Sequence, residues 1–149
     1  MPPQLQPTIF IAAGNYFHGD EAVSHRVLSL LGSQQGVSMH DVLQWTGELA
    51  PKIAAAAEVV FVDSEPRLGE PWIEPLDSRS PAGKIVDNAR QEFQFRGRAY
   101  LCHVPGLEFK HGAIGLTSYA ETRARQAAGL LRKFLVPLHS DPARSRQEK

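Results

Sequence analysis

The sequence predicts an α/β fold: a three-layer sandwich with a mostly parallel, twisted sheet and helices on both faces. Three observations carry this. Short apolar runs bounded by Gly, Asn or Pro recur along the chain. Segments of helical periodicity separate them. The sharpest run, Val59-Val60-Phe61-Val62, has no polar break before Asp63. A strand covered on both faces reads as continuous apolar sequence, and strand–helix alternation builds a parallel sheet with helices packed on each side.

The elements follow in order. Thr8 to Ala13 (TIFIAA) is an apolar strand that Gly14-Asn15 breaks. Asp20 to Leu31 places Ala22, Val23, Val27, Leu30 and Leu31 near one helical face, and Gly32 is a C-terminal stop. Val37 to Trp45 alternates loosely and reads as a second strand, ended by Thr46-Gly47. Glu48 to Glu58 reads as an alanine-rich helix, with Pro51 tolerated in its first turn. Val59 to Asp63 is the central strand. Residues 64–81 contain four prolines and few periodic apolar positions, so they read as a long loop with a short strand at Trp72-Ile73. Pro81 to Phe93 reads as a helix, Arg98 to Val104 as a strand, and Ser118 to Leu135 as a long amphipathic helix. Residues 1–149 are expected to form a single α/β domain with an ordered core of about 8–136 and disordered polar ends.

Composition narrows the function classes. The chain has 149 residues, 42% hydrophobic and 21% charged, with a formal net charge of zero. A surface that tracks phosphates needs a basic excess, so no nucleic-acid partner is expected. No apolar run approaches the roughly 18–20 residues of a membrane span, and no membrane partner is expected. Cys102 is the only cysteine, so no internal disulfide forms and nothing points to an oxidising compartment. The residues 1–7 lack the positive end and apolar stretch of a secretory signal. A cytoplasmic location is the expectation.

In sheets of this kind, functional groups gather beyond the carboxyl ends of strands at a topological switch point. Asp20 and Glu21 follow the first strand, after the loop Gly14-Asn15-Tyr16-Phe17-His18-Gly19, and Asp63 ends the third. Tips of neighbouring strands lie about 5 Å apart, which would let Glu21 and Asp63 face one pocket. Two such carboxylates repel and need a proton or a cation between them. A divalent metal is the simplest partner, and carboxylate with imidazole suits zinc or nickel. Plainer roles stand beside this one: Asp20 as a helix cap, Glu21 as a favourable charge at a helix start, His25 as an ion-pair partner one turn after Glu21. A nucleotide loop is disfavoured. The glycine spacing is wrong, and Asp20 and Glu21 put negative charge where a phosphate would sit. Trp45 and Trp72 read as packing groups, Cys102 as a small buried hydrophobe, and Arg123, Arg125 and Arg132 as a solvated helix face.

Four segments carry a family resemblance. Ile9 to Val27 reads IFIAAGNYFHGDEAVSHRV, an apolar strand leading to GN, a GD-E pair and a helix. Leu43 to Pro51 reads LQWTGELAP, Val59 to Ser64 reads VVFVDS, and Val104 to Thr117 reads VPGLEFKHGAIGLT. In this order the segments resemble the maturation proteases of nickel-iron hydrogenases, over roughly residues 8–135. The resemblance implies an α/β sandwich around a twisted sheet. It also implies an endopeptidase that removes the C-terminal extension of a hydrogenase large-subunit precursor after nickel insertion. Nickel, presented by the substrate, would be the metal engaged, though another divalent ion suits the same carboxylates. Three side chains are implied: an acid after the first strand, an Asp ending the third, and a later His. The first two carry over to Glu21 and Asp63. The third has no match, because Glu65 to Gly83 contains no histidine; one alignment puts Asp77 there and another Ala82. Asp77 or His111 is therefore expected as the third metal-facing group, with His18 and His103 as further imidazoles that have ordinary loop or surface readings. The alternative function is a non-proteolytic relative that holds a hydrogenase precursor or metallocentre as a maturation chaperone.

Overall fold

The computed structural model describes residues 7–140, with side chains to residue 136. The disorder expected at the two ends falls almost entirely outside that range. Five strands form one sheet in the order β2-β1-β3-β5-β4. They are β1 (Thr8–Ala13), β2 (Val37–Val42), β3 (Glu58–Pro66), β4 (Trp72–Pro75) and β5 (Arg98–Gly106). β1 pairs in parallel with β2 and β3, and β3 with β5, while β4 closes one edge antiparallel to β5. The strand order reverses between β1 and β3, so the switch point lies there. No described helix is long and apolar enough to cross a membrane.

Period-two alternation splits each central strand between two cores. Phe10, Ala12, Val60, Val62, Cys102 and Val104 face α1 (Val23–Leu31) and α4 (Ser118–Ser140). Ile9, Ile11, Val59 and Phe61 face α2 (Ala50–Ile53) and α3 (Pro81–Phe93). The expected fold class is the one observed. Val60 and Val62 are fully buried, as the unbroken apolar run of β3 requires. Cys102 is buried within the first core, and burial pushes its thiol up to about 12, so it behaves as a small hydrophobe.

Several boundaries differ from expectation for identifiable reasons. The helix expected at Glu48 to Glu58 shrinks to a 3₁₀ turn at Gly47–Leu49 and the single turn of α2. Its alanines are needed elsewhere: the Ala57 amide donates to the Pro7 carbonyl, and the Ala57 carbonyl accepts from Arg98, which fixes the starts of β3 and β5. The first helix begins as a 3₁₀ turn at Gly19–Ala22 and becomes α-helical only at Val23. The supposed loop after Asp63 first continues β3 to Pro66, because β5 runs equally far and supplies its partners up to Gly106. Helix α3 starts where expected, with the Ser80 hydroxyl accepting from the Gly83 amide and Pro81 in the first turn.

Phe10 is the largest fully buried side chain of the α1–α4 core. Phe10→Ala is expected to cost about 3–5 kcal/mol, read from the shift in urea unfolding midpoint at unchanged slope.

Candidate active site at the carboxyl ends of β1 and β3

Asp63 follows the last β1–β3 pair, Ala12 with Val62, and Glu21 lies in the 3₁₀ turn that the chain enters after β1. Both carboxylates thus belong to the switch-point end of the sheet. Asp63 shares the face of Phe61, and Trp45 stands edge-on to that ring at 5.1 Å. From there the Trp45 indole Nε1–H donates to Asp63 Oδ2 at 3.2 Å, and the Ser64 amide donates to Oδ1 at 3.0 Å. Burial pushes the Asp63 carboxyl above its ordinary value. The Trp45 and Ser64 donors pull it down, Glu65 adds to the rise, and His103 opposes it. Beyond the packing or rim role expected for it, Trp45 thus donates to this carboxylate.

Glu21 is held by both oxygens. The Asn15 amide donates to Oε1 at 3.3 Å, and His18 Nδ1 lies 2.8 Å from Oε2. His18 Nε2 in turn lies 2.8 Å from His111 Nδ1. The β1–α1 and β5–α4 loops that carry these imidazoles are laced together: the Gly112 amide donates to the Phe17 carbonyl and the Gly19 amide to the Ala113 carbonyl. His111 therefore reaches Glu21 through His18.

Asp20 is fully buried and caps nothing in its own helix. Its carboxylate instead accepts from the amides of Leu107, Glu108 and Thr117 and from the Thr117 hydroxyl, at 2.7–3.0 Å. Burial alone would raise its pKa, but these donors outweigh it and hold the carboxyl below the ordinary range. The role expected as a helix cap is replaced by a tether between two loops. His25 is also not the ion-pair partner of Glu21. Its Nδ1 lies 2.7 Å from Asp41 Oδ1 on β2.

The structure does not bring Asp77 to this end. The Leu76 amide donates to the Ala99 carbonyl, and Ala99 pairs with Val59, four residues back along β3 from Asp63. That is roughly 13 Å along the strand. Asp77 is exposed and bound by the Arg79 backbone amide and guanidinium, which hold its carboxyl below the ordinary range. Ala82, the other aligned position, is buried among α2 and α3 side chains. Among the described residues, no three His, Cys, Asp or Glu side chains are placed to hold a metal ion together.

His103 is the residue that sequence reasoning underused. It pairs directly with Asp63 across β3 and β5, is nearly buried, and stacks on Trp72 at 4.1 Å. Its Nδ1 lies 2.5 Å from Glu65 Oε1, and its Nε2 lies 3.6 Å from Glu74 Oε2. The sequence holds the equal six-residue spacing of Glu58 to Asp63 and Arg98 to His103, but only the pairing of the two strand starts shows that these polar positions meet.

No family model matches the sequence, and no curated protein is significantly similar to it. Solved structures are similar in fold. The [NiFe] hydrogenase maturation protease HycI from Thermococcus kodakarensis KOD1 superposes at a TM-score of 0.70 with 20% identity, over 87% of this chain and 92% of that one. The hydrogenase maturating endopeptidase HybD from E. coli gives 0.71 with 17% identity, over 89% and 94%. The hydrogenase 2 maturation peptidase from Thaumarchaeota archaeon SCGC_AB-539-E09 gives 0.66 with 18% identity, over 87% and 97%. The chain has the α/β fold of these hydrogenase maturation proteases, over nearly the whole length of each.

Two outcomes are expected from this geometry. Asp20→Asn should lose about 1.5–3 kcal/mol at pH 7, since hydrogen bonds to a charged acceptor are removed. Because the folded carboxyl lies below its unfolded value, its stabilisation is complete above the ordinary value of 3.8 and is lost as pH falls through the folded value. Urea unfolding across the acid range should therefore show a flatter stability profile in Asp20→Asn than in the parent. Trp45→Phe keeps the ring against Phe61 and removes one donor, so the Asp63 carboxyl should titrate at higher pH in a carbon-13 NMR titration.

Proposed function

We propose that this protein is an endopeptidase that removes the C-terminal extension of a nickel-iron hydrogenase large-subunit precursor after nickel insertion. One observation carries the reading: in a fold shared with the hydrogenase maturation proteases, two carboxylates, Glu21 in the turn that follows β1 and Asp63 just past the last β1–β3 pair, lie at the end of the sheet where its order reverses. The nickel belongs to the substrate, which brings its own cysteine ligands. Glu21 and Asp63 meet it as additional anionic contacts, so the metal marks the precursor as loaded. The ion can polarise the scissile carbonyl or activate water beside it. His111, rather than Asp77, is the third metal-facing group. What supports this is that His111 joins Glu21 through His18, whereas Asp77 lies beyond the other end of β4 and is tied to Arg79.

A second reading is favoured by one specific observation. The stretch from Glu65 to Gly83, where the family resemblance places a histidine, contains none, and of the two aligned positions Asp77 is tied to Arg79 and Ala82 is packed in the core. A chain without that imidazole would hold the precursor or its metallocentre without cutting it.

The test is incubation of the purified protein with nickel-loaded precursor, followed by mass spectrometry. Loss of a C-terminal peptide is the expected result. Glu21→Gln and Asp63→Asn should each slow processing by at least about 100-fold, His111→Ala should slow it measurably, and Asp77→Asn should leave it unchanged. An intact precursor that co-purifies with the unmutated protein would establish the holding role instead.

A further inference from the structure

We propose that His25 is a positioning residue that sets the Glu21 carboxylate through the Gly14–Asn15 peptide. His25 is 5% exposed, yet both ring nitrogens are engaged. Nε2 lies 2.8 Å from the Gly14 carbonyl oxygen and Nδ1 lies 2.7 Å from Asp41 Oδ1. The Gly14 carbonyl only accepts, so the ring nitrogen that faces it is a donor. The ring is flanked by the Asp41 carboxylate from β2 and stacked on Tyr16 at 4.6 Å.

The Gly14 carbonyl and the Asn15 amide belong to one peptide plane. The same unit therefore accepts from His25 at one end and donates to Glu21 Oε1 at the other. A planar peptide whose oxygen is anchored has its N–H direction fixed. A donor bonded at the oxygen also polarises the N–H and strengthens the bond it makes. Position 14 is confined to glycine by the same arrangement: a Cβ there would stand 2.0 Å from the Glu21 carbonyl oxygen. The Ser24 hydroxyl, one residue before His25, donates to the Ala13 carbonyl and fixes the preceding peptide. With His18 on Oε2, both Glu21 oxygens are aimed, one of them by way of His25. Asp41, His25 and the Gly14–Asn15 peptide thus link β2, α1 and the end of β1 to a single carboxylate.

The structural claim is testable without any partner, and only its catalytic consequence rests on the protease reading. His25→Phe keeps a ring against Tyr16 and removes both ring nitrogens, whereas His25→Gln restores an amide donor. In isotope-labelled protein, His25→Phe is expected to move the Asn15 amide proton upfield and shift the Glu21 carboxyl carbon, with β3 and α4 resonances in place. His25→Gln should return the Asn15 signal part of the way. Unchanged Asn15 and Glu21 signals in His25→Phe would overturn the proposal. Should His25→Phe not fold, Asp41→Asn weakens one anchor at a side chain 54% exposed and should move the same Asn15 signal by less; no movement overturns the proposal equally. On nickel-loaded precursor, His25→Phe should lower kcat roughly tenfold with KM nearly unchanged, and His25→Gln should recover part of the loss. Loss of rate that tracks only loss of thermal stability across these variants would overturn the positioning role. A parent protein that cleaves nothing, with the Asn15 shift still moving, would sink the protease reading and leave the positioning intact.

Discussion

The buried Asp20 carboxylate is the interaction on which this end of the molecule depends. It has no exposure to water, and its charge is tolerable only because three backbone amides and a hydroxyl face it. Those donors come from the segment between β5 and α4, so one side chain from the β1–α1 connection organises a loop more than eighty residues away. The approach is close enough that Gly106 admits no side chain: a Cβ there would lie 2.7 Å from Asp20 Cβ. Glu21 is the next residue along, and His111 rides on the loop being held. The two loops that carry Glu21 and His111 are thus joined by a charge buried beneath them.

Much of the fold was legible because a parallel sheet demands a specific pattern. Ile9 to Ala13 and Val59 to Val62 must be apolar at every position when helices cover both faces, and they are. What misled was local composition. Ala54 to Ala57 has the residues of a helix, but the backbone of Ala57 is spent on Pro7 and Arg98. Propensity yielded to a tertiary hydrogen-bond demand.

At the site, strand ends and the family resemblance single out Glu21 and Asp63, and the structure puts both at the switch-point end of the sheet. His103 and Trp45 were not singled out, because their roles depend on register and on which face a loop folds toward. Asp20 looked like a cap because its sequence position is that of a cap; only the return of the β5–α4 segment gives it another use. Asp77 looked close to Asp63 in sequence, yet β4 runs antiparallel and carries the chain away to the other end of the sheet. Fold likeness at 17–20% identity fits the same division. Core positions tolerate any apolar residue of suitable volume, so the architecture persists while sequences drift apart.

The two sheet edges differ in a way that governs what can be added to them. Strand β4 has only four residues, with Pro71 immediately before it and Pro75 at its end, so two backbone positions along that border have no N–H to offer. A foreign strand arriving there would find a short and interrupted ladder. At the opposite border, β2 presents six residues without a proline. Growth of the sheet by a borrowed strand is therefore blocked on one side by covalent chemistry and left open on the other, along the border that holds Asp41.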